Sequence, residues 1–248
     1  MDNYRRRDIG WHRKGGWLLL AVILCGGQGT RLRTVVPDLP KALAPIQGRP
    51  VLAYQIEWLS RSGFEQIVLC VGYRWEAIHA HFGDGDRYGV KLAYSVEQTP
   101  LGTAGCLKLA EPLISEPALV LNGDTLLSIA PAELSRYHNE RGALVTLGVA
   151  PVPDASDSGS VTLDRQDRIT SFREKESGAG LVSAGTYFLS PASLRYLQAG
   201  QNASLERDFL PALLAAGEPL FGYRLTGPFL DIGTPERYQH AQKGWVWP

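Results

Sequence analysis

The chain reads as an α/β fold: a single domain built on a mostly parallel central sheet with helices on both faces. Three observations predict this. Short apolar runs alternate with helical periodicity through the first 150 residues, and strand–helix–strand repetition produces parallel sheets covered on both sides. The first apolar run opens directly into a glycine-rich loop, a common arrangement at the carboxyl end of a sheet strand. The length, 248 residues with 44% hydrophobic and 20% charged side chains, suits one large core.

Each element follows from its local pattern. Residues 18–24 are continuously apolar, as expected for a central strand buried on both faces. Residues 50–61 repeat Val51, Leu52, Ile56 and Leu59 at helical spacing, opened by Pro50 and stopped by Gly63. Strands are expected at 66–71, 90–96, 118–121 and 143–149, and helices at 75–82, 103–110 and 131–139. The second half is less regular. A loop of Asp, Ser and Gly at 154–159 precedes two short strands, 160–163 and 168–172, turned by residues 164–167. A strand at 181–189, a helix at 208–216 and a strand at 219–225 follow. Thr234 reads as an N-cap with Pro235 at the first helical position. There is no internal repeat and no low-complexity tract.

Bulk properties exclude several classes. Lysine plus arginine equals aspartate plus glutamate, so the basic excess of a general nucleic-acid binder is absent. The three cysteines, Cys25, Cys70 and Cys106, lack CxxC spacing. They read as small buried thiols, not as a disulfide framework or zinc site, and they suit a reducing cytoplasm. Residues 1–16 carry Arg5, Arg6, Arg7, Arg13 and Lys14 ahead of the apolar run. That run is too short to span a bilayer and lacks a convincing cleavage site. The segment is read as a mobile extension; an arm touching membrane or RNA is the alternative. No membrane or nucleic-acid partner is expected for the domain itself. The five histidines carry no pattern; His79, His81, His138 and His240 are expected on solvated helical faces.

The loop after the first strand is Gly26-Gly27-Gln28-Gly29-Thr30-Arg31-Leu32. Glycine lets the backbone approach phosphate closely and aim amide hydrogens at oxygen. A G-x-G-x-x-G dinucleotide fingerprint fails because Leu32 stands where the third glycine belongs, which argues against an NAD-dependent oxidoreductase. No Gly-Lys-Ser/Thr follows either, so it is not a P-loop. Arg31 and Lys41, the latter behind Pro40, flank the loop and suit neutralisation of triphosphate charge. Asp124, in Asn122-Gly123-Asp124 at the end of a strand, suits a hard cation such as Mg²⁺.

These segments resemble the nucleotide-sugar pyrophosphorylase family, whose members are sugar-1-phosphate nucleotidyltransferases. The resemblance runs from about Ala21 to Gln242, through Val71-Gly72-Tyr73, Pro100-Leu101-Gly102-Thr103, Phe172-Arg173-Glu174-Lys175 and Asp231-Ile232-Gly233-Thr234-Pro235-Glu236, and lies nearest to D-glycero-D-manno-heptose 1-phosphate guanylyltransferases. It implies a Rossmann-like fold of the nucleotide-diphospho-sugar transferase type over residues 17–248, with a nucleotide half to about 125 and a sugar-phosphate half beyond. It implies Arg31 and Lys41 as catalytic cations and Asp124 with Asp231 as Mg²⁺ carboxylates. Leu24, Gly26, Gly27, Gly29, Thr30, Glu97, Pro100, Gly102, Thr103, Asn122 and Gly123 would hold the nucleoside triphosphate, GTP being favoured. Gly159, Glu174, Lys175, Ser183, Ala184 and Gly185 would hold the sugar 1-phosphate. A homodimer would be unsurprising for such an enzyme. Close relatives carry Asn-Gly-Gly where this chain has Ser183-Ala184-Gly185, and an aromatic residue where it has Ser158. Mannose 1-phosphate with GTP, or glucose 1-phosphate with dTTP, UTP or CTP, are the alternative pairs. A non-catalytic nucleotide-sugar sensor is a further alternative, disfavoured because a sensor has no need of the metal carboxylates.

Overall fold

The computed structural model describes residues 20–155, 159–174 and 178–244. The extension 1–16 and the first residues of the apolar run fall outside them. In chain order, β1 (Leu20–Leu24) leads through the glycine loop and a small ribbon, β2 (Pro45–Ile46) and β3 (Arg49–Pro50), to α1 (Val51–Arg61). Then come β4 (Gln66–Val71), α2 (Trp75–Phe82), β5 (Lys91–Val96), α3 (Gly102–Leu109), β6 (Ala118–Asn122) and the short β7 (Thr125–Leu127). The second half holds α4 (Pro131–Glu140), β8 (Val145–Val152), β9 (Gly159–Leu163), β10 (Ile169–Glu174) and β11 (Gly180–Leu189). It finishes with α5 (Leu210–Ala215), β12 (Leu220–Arg224), β13 (Phe229–Asp231) and α6 (Pro235–Gly244).

The sheet core is parallel because its strands are buried on both faces. Along β1 the side chains alternate between two clusters: Leu20, Val22 and Leu24 enter one, Ala21 and Ile23 the other. β4 and β6 repeat this, with Val68 and Val120 on the first face and Leu69 and Leu121 on the second. The period-2 pleat therefore builds two cores from one continuous apolar run. Helix α3 and helix α5 cover the first face through Leu107, Leu210 and Leu213. Helices α1, α2 and α4 cover the second through Leu52, Ile56, Ile78 and Leu134. The expected α/β architecture with helices on both faces is what the chain adopts.

In the central sheet the strands of the first half pair parallel, and the second half adds antiparallel pairs. β5, β4, β1 and β6 run parallel in that spatial order, but β11 pairs antiparallel with β6 and separates it from β8. β12 then lies parallel to β8. β11 also serves the β9–β10 hairpin, through Val182 opposite Ser160. Its register against β8 shifts between Ser183 and Tyr187. Gly148 stands opposite this irregularity, where a β-carbon would lie 2.2 Å from the Thr186 methyl. Such a bulge re-aims the strand.

Several local expectations change. α3 begins at Gly102, one residue earlier than its apolar pattern. The segment expected as a helix from 208 starts as a π-helical turn, Leu205–Phe209, capped by Ser204. Thr234 does cap α6, accepting from the Arg237 amide at 3.3 Å. His138 is a correction: it is 2% exposed, not solvated. Its ring nitrogens lie 3.0 Å from Thr146 Oγ1 and from Ser190 Oγ, and burial lowers its pKa to about 4. A helix carrying few apolar residues can still bury a polar one when partners on neighbouring strands satisfy it. Among the described residues no helix is long and apolar enough to cross a membrane.

Candidate active site

A cleft of about 660 Å³ opens at the carboxyl ends of β1, β5 and β6, where parallel sheets place ligands. Its walls contain every residue expected around the nucleotide: Leu24, Gly26, Gly27, Gly29, Thr30, Glu97, Pro100, Gly102, Thr103, Asn122 and Gly123. Arg31, Lys41 and Asp124 line it as well.

Packing explains the glycines. A β-carbon at Gly26 would lie 2.8 Å from Glu97 Oε1, and one at Gly72 2.7 Å from the same oxygen. The Glu97 carboxylate thus fills the space that two side chains would take, and its Oε2 accepts the Leu101 amide at 3.0 Å. Burial raises the Glu97 pKa, with the Leu101 hydrogen bond opposing. Gly123 is pressed against β1: its amide donates to Leu24 O at 2.9 Å, and a β-carbon would lie 2.8 Å from that oxygen. Gly29 has φ +60°, and its missing side chain leaves room for the Lys41 stem: a β-carbon there would lie 3.1 Å from Lys41 Cβ. The Gly29 carbonyl then accepts from Leu32 and Arg33, starting the 3-10 turn that follows Arg31.

The charged groups converge from distant segments. Lys41 pairs with Asp124. β13 pairs antiparallel with β7, placing Asp231 opposite Thr125 and so beside Asp124. Asp231 accepts from Arg237 Nη1 at 2.6 Å and from the Gly233 amide at 2.9 Å. Gly233 is where they meet: a β-carbon there would lie 2.8 Å from Asp231 Oδ1, 3.5 Å from Lys41 Nζ and 3.9 Å from Arg31 Nη2. Among the described residues no three His, Cys, Asp or Glu gather as a metal cage. Two hard carboxylates beside a glycine-rich loop fit the chemistry of Mg²⁺, which typically takes one or two carboxylates and completes its shell with phosphate and water.

A third cluster ties this assembly together. Leu32, Ala44, Ile46 and Val51 pack with Leu126, Ile232, Tyr238 and Ala241. Tyr238 Oη donates to Pro45 O at 2.6 Å, and Gln47 N donates to Gln242 Oε1 at 2.9 Å. Gln55, 1% exposed, donates through Nε2 to Asn122 O and Thr125 O, both at 2.8 Å. It brackets Asp124 from beneath.

The residues expected around the sugar lie apart from the cleft lining. Glu174 ends β10 opposite Gly159 in the hairpin register; Lys175 lies outside the described residues. Gly185, at φ +64°, packs against the cleft residue Asn122: a β-carbon would lie 2.7 Å from its Nδ2. Ser183 Oγ lies 3.3 Å from Tyr187 Oη. Ala184 turns its methyl into a cluster with Ala150 and Leu225, so that methyl is not available to a ligand.

Sequence reasoning missed Asn202 and Arg207, which line the cleft from the far half. The segment around them straps the nucleotide loop. Asn202 Nδ2 donates to Pro100 O at 2.9 Å, Ala203 N to Leu101 O at 2.8 Å, and Leu205 N to Thr103 Oγ1 at 2.8 Å. It also missed Glu206 and Tyr187, 3.1 Å apart. No motif marks these positions; only the folded proximity does. Cys25 and Cys106 line the cleft, and all three cysteines are buried and free, as expected.

The chain is similar to known proteins over most of its length. The family model described as "Nucleotidyl transferase" matches residues 20–245. The chain belongs to the nucleotidyl transferase family. A D-glycero-alpha-D-manno-heptose 1-phosphate guanylyltransferase of Aneurinibacillus thermoaerophilus is 36% identical over 226 residues, covering 90% of this chain and 96% of the relative. A mannose-1-phosphate guanylyltransferase of Mycobacterium tuberculosis is 35% identical over 222 residues, which cover 88% of this chain but 62% of that protein. A crystal structure of HddC from Yersinia pseudotuberculosis complexed with GMP-PN superposes with a TM-score of 0.80 at 29% identity, covering 91% of this chain and 98% of HddC. The enzyme is a nucleotidyltransferase, and its resemblance to nucleotide-sugar pyrophosphorylases extends over nearly the whole chain.

Proposed function

We propose that this enzyme joins GTP to D-glycero-D-manno-heptose 1-phosphate, giving the GDP-sugar and pyrophosphate. The observation that carries the chemistry is the convergence of Arg31, Lys41, Asp124 and Asp231 beside the glycine loop. The similarity to the Aneurinibacillus enzyme over almost its entire length supports the base and the sugar, and the likeness to HddC complexed with GMP-PN is consistent with them. The Mycobacterium relative favours the same base with mannose 1-phosphate as the second reading.

A sugar phosphate needs no activation as a nucleophile, since the second pKa of a phosphate monoester is about 6. One of its oxygens attacks the α-phosphorus in line. The new P–O bond forms as the bond to the β-phosphate oxygen breaks, and pyrophosphate leaves with that electron pair. The barrier comes from bringing anions together, so catalysis is positioning and charge neutralisation. The glycine loop admits the phosphates to the backbone. Arg31 and Lys41 take the charge on phosphate oxygens, Lys41 exchanging its Asp124 partner for substrate. Asp124 and Asp231 would hold Mg²⁺, which when bound adds positive charge at those oxygens. Glu97 keeps the 97–103 loop shaped for the nucleoside.

The test is pyrophosphate release from a panel of GTP, ATP, dTTP, UTP and CTP against heptose, mannose and glucose 1-phosphates. GTP with the heptose phosphate is expected to give the highest kcat/KM. A higher value with mannose 1-phosphate refutes the sugar, and preference for another triphosphate refutes the base. Binding without release for any pair would leave only a sensor.

A further inference from the structure

A directional chain of hydrogen bonds runs from the cleft floor into the sugar half. It starts at Gly185, whose bare α-carbon packs on the Asn122 amide. The Gly185 amide donates to Ser183 Oγ at 3.3 Å, Ser183 Oγ lies 3.3 Å from Tyr187 Oη, and Tyr187 Oη donates to Glu206 Oε1 at 3.1 Å. Tyr187 is 2% exposed. Burial, then the Glu206 charge, push its pKa well above the ordinary value, so the phenol keeps its proton. With that proton committed to Glu206, Ser183 donates to the phenol oxygen, and every link points the same way. Aligned chains of this kind strengthen each bond and fix the terminal group.

The terminal group is the half-buried Glu206 carboxylate. Oε1 is held by Tyr187, whereas Oε2 has no hydrogen-bond partner among the described residues. Oε2 faces Gly159: a β-carbon there would lie 3.6 Å from it. The wide π-helical turn Leu205–Phe209 divides its neighbours' tasks, with Arg207 lining the nucleotide cleft while Glu206 meets the β9 edge. A fixed carboxylate oxygen beside a glycine has the chemistry to accept a hydroxyl hydrogen bond, and charged acceptors make the stronger ones.

We propose that Glu206 is a sugar-binding residue, its Oε2 accepting a hydrogen bond from a hydroxyl of the sugar 1-phosphate, with Tyr187 as its positioning residue. This rests on the substrate reading above. The assay is steady-state pyrophosphate release by the full chain, varying each substrate separately. Glu206→Gln preserves shape and replaces the charged acceptor by a neutral amide. The KM for the sugar phosphate is expected to rise about tenfold, the step from a charge-assisted to a neutral hydrogen bond, while the KM for GTP stays within twofold. Tyr187→Phe leaves the carboxylate and removes only its anchor, so a smaller rise of about threefold in the same KM is expected, and it serves if Glu206→Gln does not fold. Sugar KM values within twofold of wild type in the folded variants, or an equal rise in both KM values, overturn the proposal. If the wild-type chain turns over no sugar phosphate, the substrate reading itself falls and takes this one with it.

Discussion

Gly105→Ala sets two physical effects against each other. Gly105 lies inside α3, where alanine is favoured over glycine by about 0.8–1.0 kcal/mol. Propensity alone therefore predicts a stabilised enzyme. The packing predicts the opposite. A β-carbon at Gly105 would lie 2.3 Å from the Gln201 carbonyl oxygen and 3.0 Å from Leu101 Cβ. The first contact is with backbone, which cannot rotate away, so the strap at 201–205 must retreat by about 1 Å to restore van der Waals distance. Overpacking of this kind costs about 1–3 kcal/mol. The retreat also strains the strap's bonds to Pro100, Leu101 and Thr103, and losing two of them adds about 2 kcal/mol. The net is a destabilisation of about 2–4 kcal/mol, or roughly 5–15 °C in Tm for a chain of this size. Urea unfolding of wild type and variant measures it. Because Pro100 and Thr103 line the cleft on the wall proposed for the nucleotide, KM for the triphosphate should rise as well. A variant at least as stable as wild type would show that the strap yields freely and that the argument from contact distance is wrong.

Three further outcomes follow from the site and the core. Arg31→Ala should lower kcat about a hundredfold, the scale of one preorganised charge stabiliser, without altering the Tm; unchanged kcat removes Arg31 from the chemistry. Asp124→Asn, which discards the charge facing Lys41, should lower kcat at least as far and raise the Mg²⁺ concentration needed for half-maximal pyrophosphate release, while a chelator should stop wild-type turnover; activity that survives chelation contradicts the metal assignment. His138 should make the fold acid-sensitive. Its folded pKa, lowered by burial to about 4, sits below the unfolded value, so its contribution is complete above about pH 6.5 and is lost as pH falls towards 4, by about 2–3 kcal/mol. Unfolding free energies measured from pH 7.5 to 4.5 should fall accordingly, and His138→Gln should flatten that slope; identical slopes would clear His138 of the effect.

The site was legible where chemistry is local. The glycine loop, Arg31, Lys41 and Asp124 lie within or just after short signature stretches, and the structure gathers them in one cleft. The alternation along β1 shows why its apolar run predicts a strand covered on both faces. What escaped was long-range. β7 and β13 have three residues each, too few for periodicity to register, yet their pairing sets Asp231 beside Asp124. The insertion of antiparallel β11 between β6 and β8 is a choice of partner that no single strand announces. His138 was misread because the partners that permit its burial, Thr146 and Ser190, belong to other segments. Glu206 and Asn202 act through neighbours about 20 and 100 residues away in the chain.

β11 divides its loyalties at the Ser183–Tyr187 irregularity. Its last four residues, Thr186–Leu189, belong to the nucleotide sheet through β6, whereas Val182 joins the β9 edge. The β9–β10 hairpin is therefore held from two sides: by β11 through Val182, and by β12, where the Gly222 amide donates to Asp167 O at 2.9 Å and Arg224 pairs with Asp167 at 3.1 Å. Because β12 also lies parallel to β8, a change in the hairpin reaches the sheet by two routes, one along β11 and one through β12.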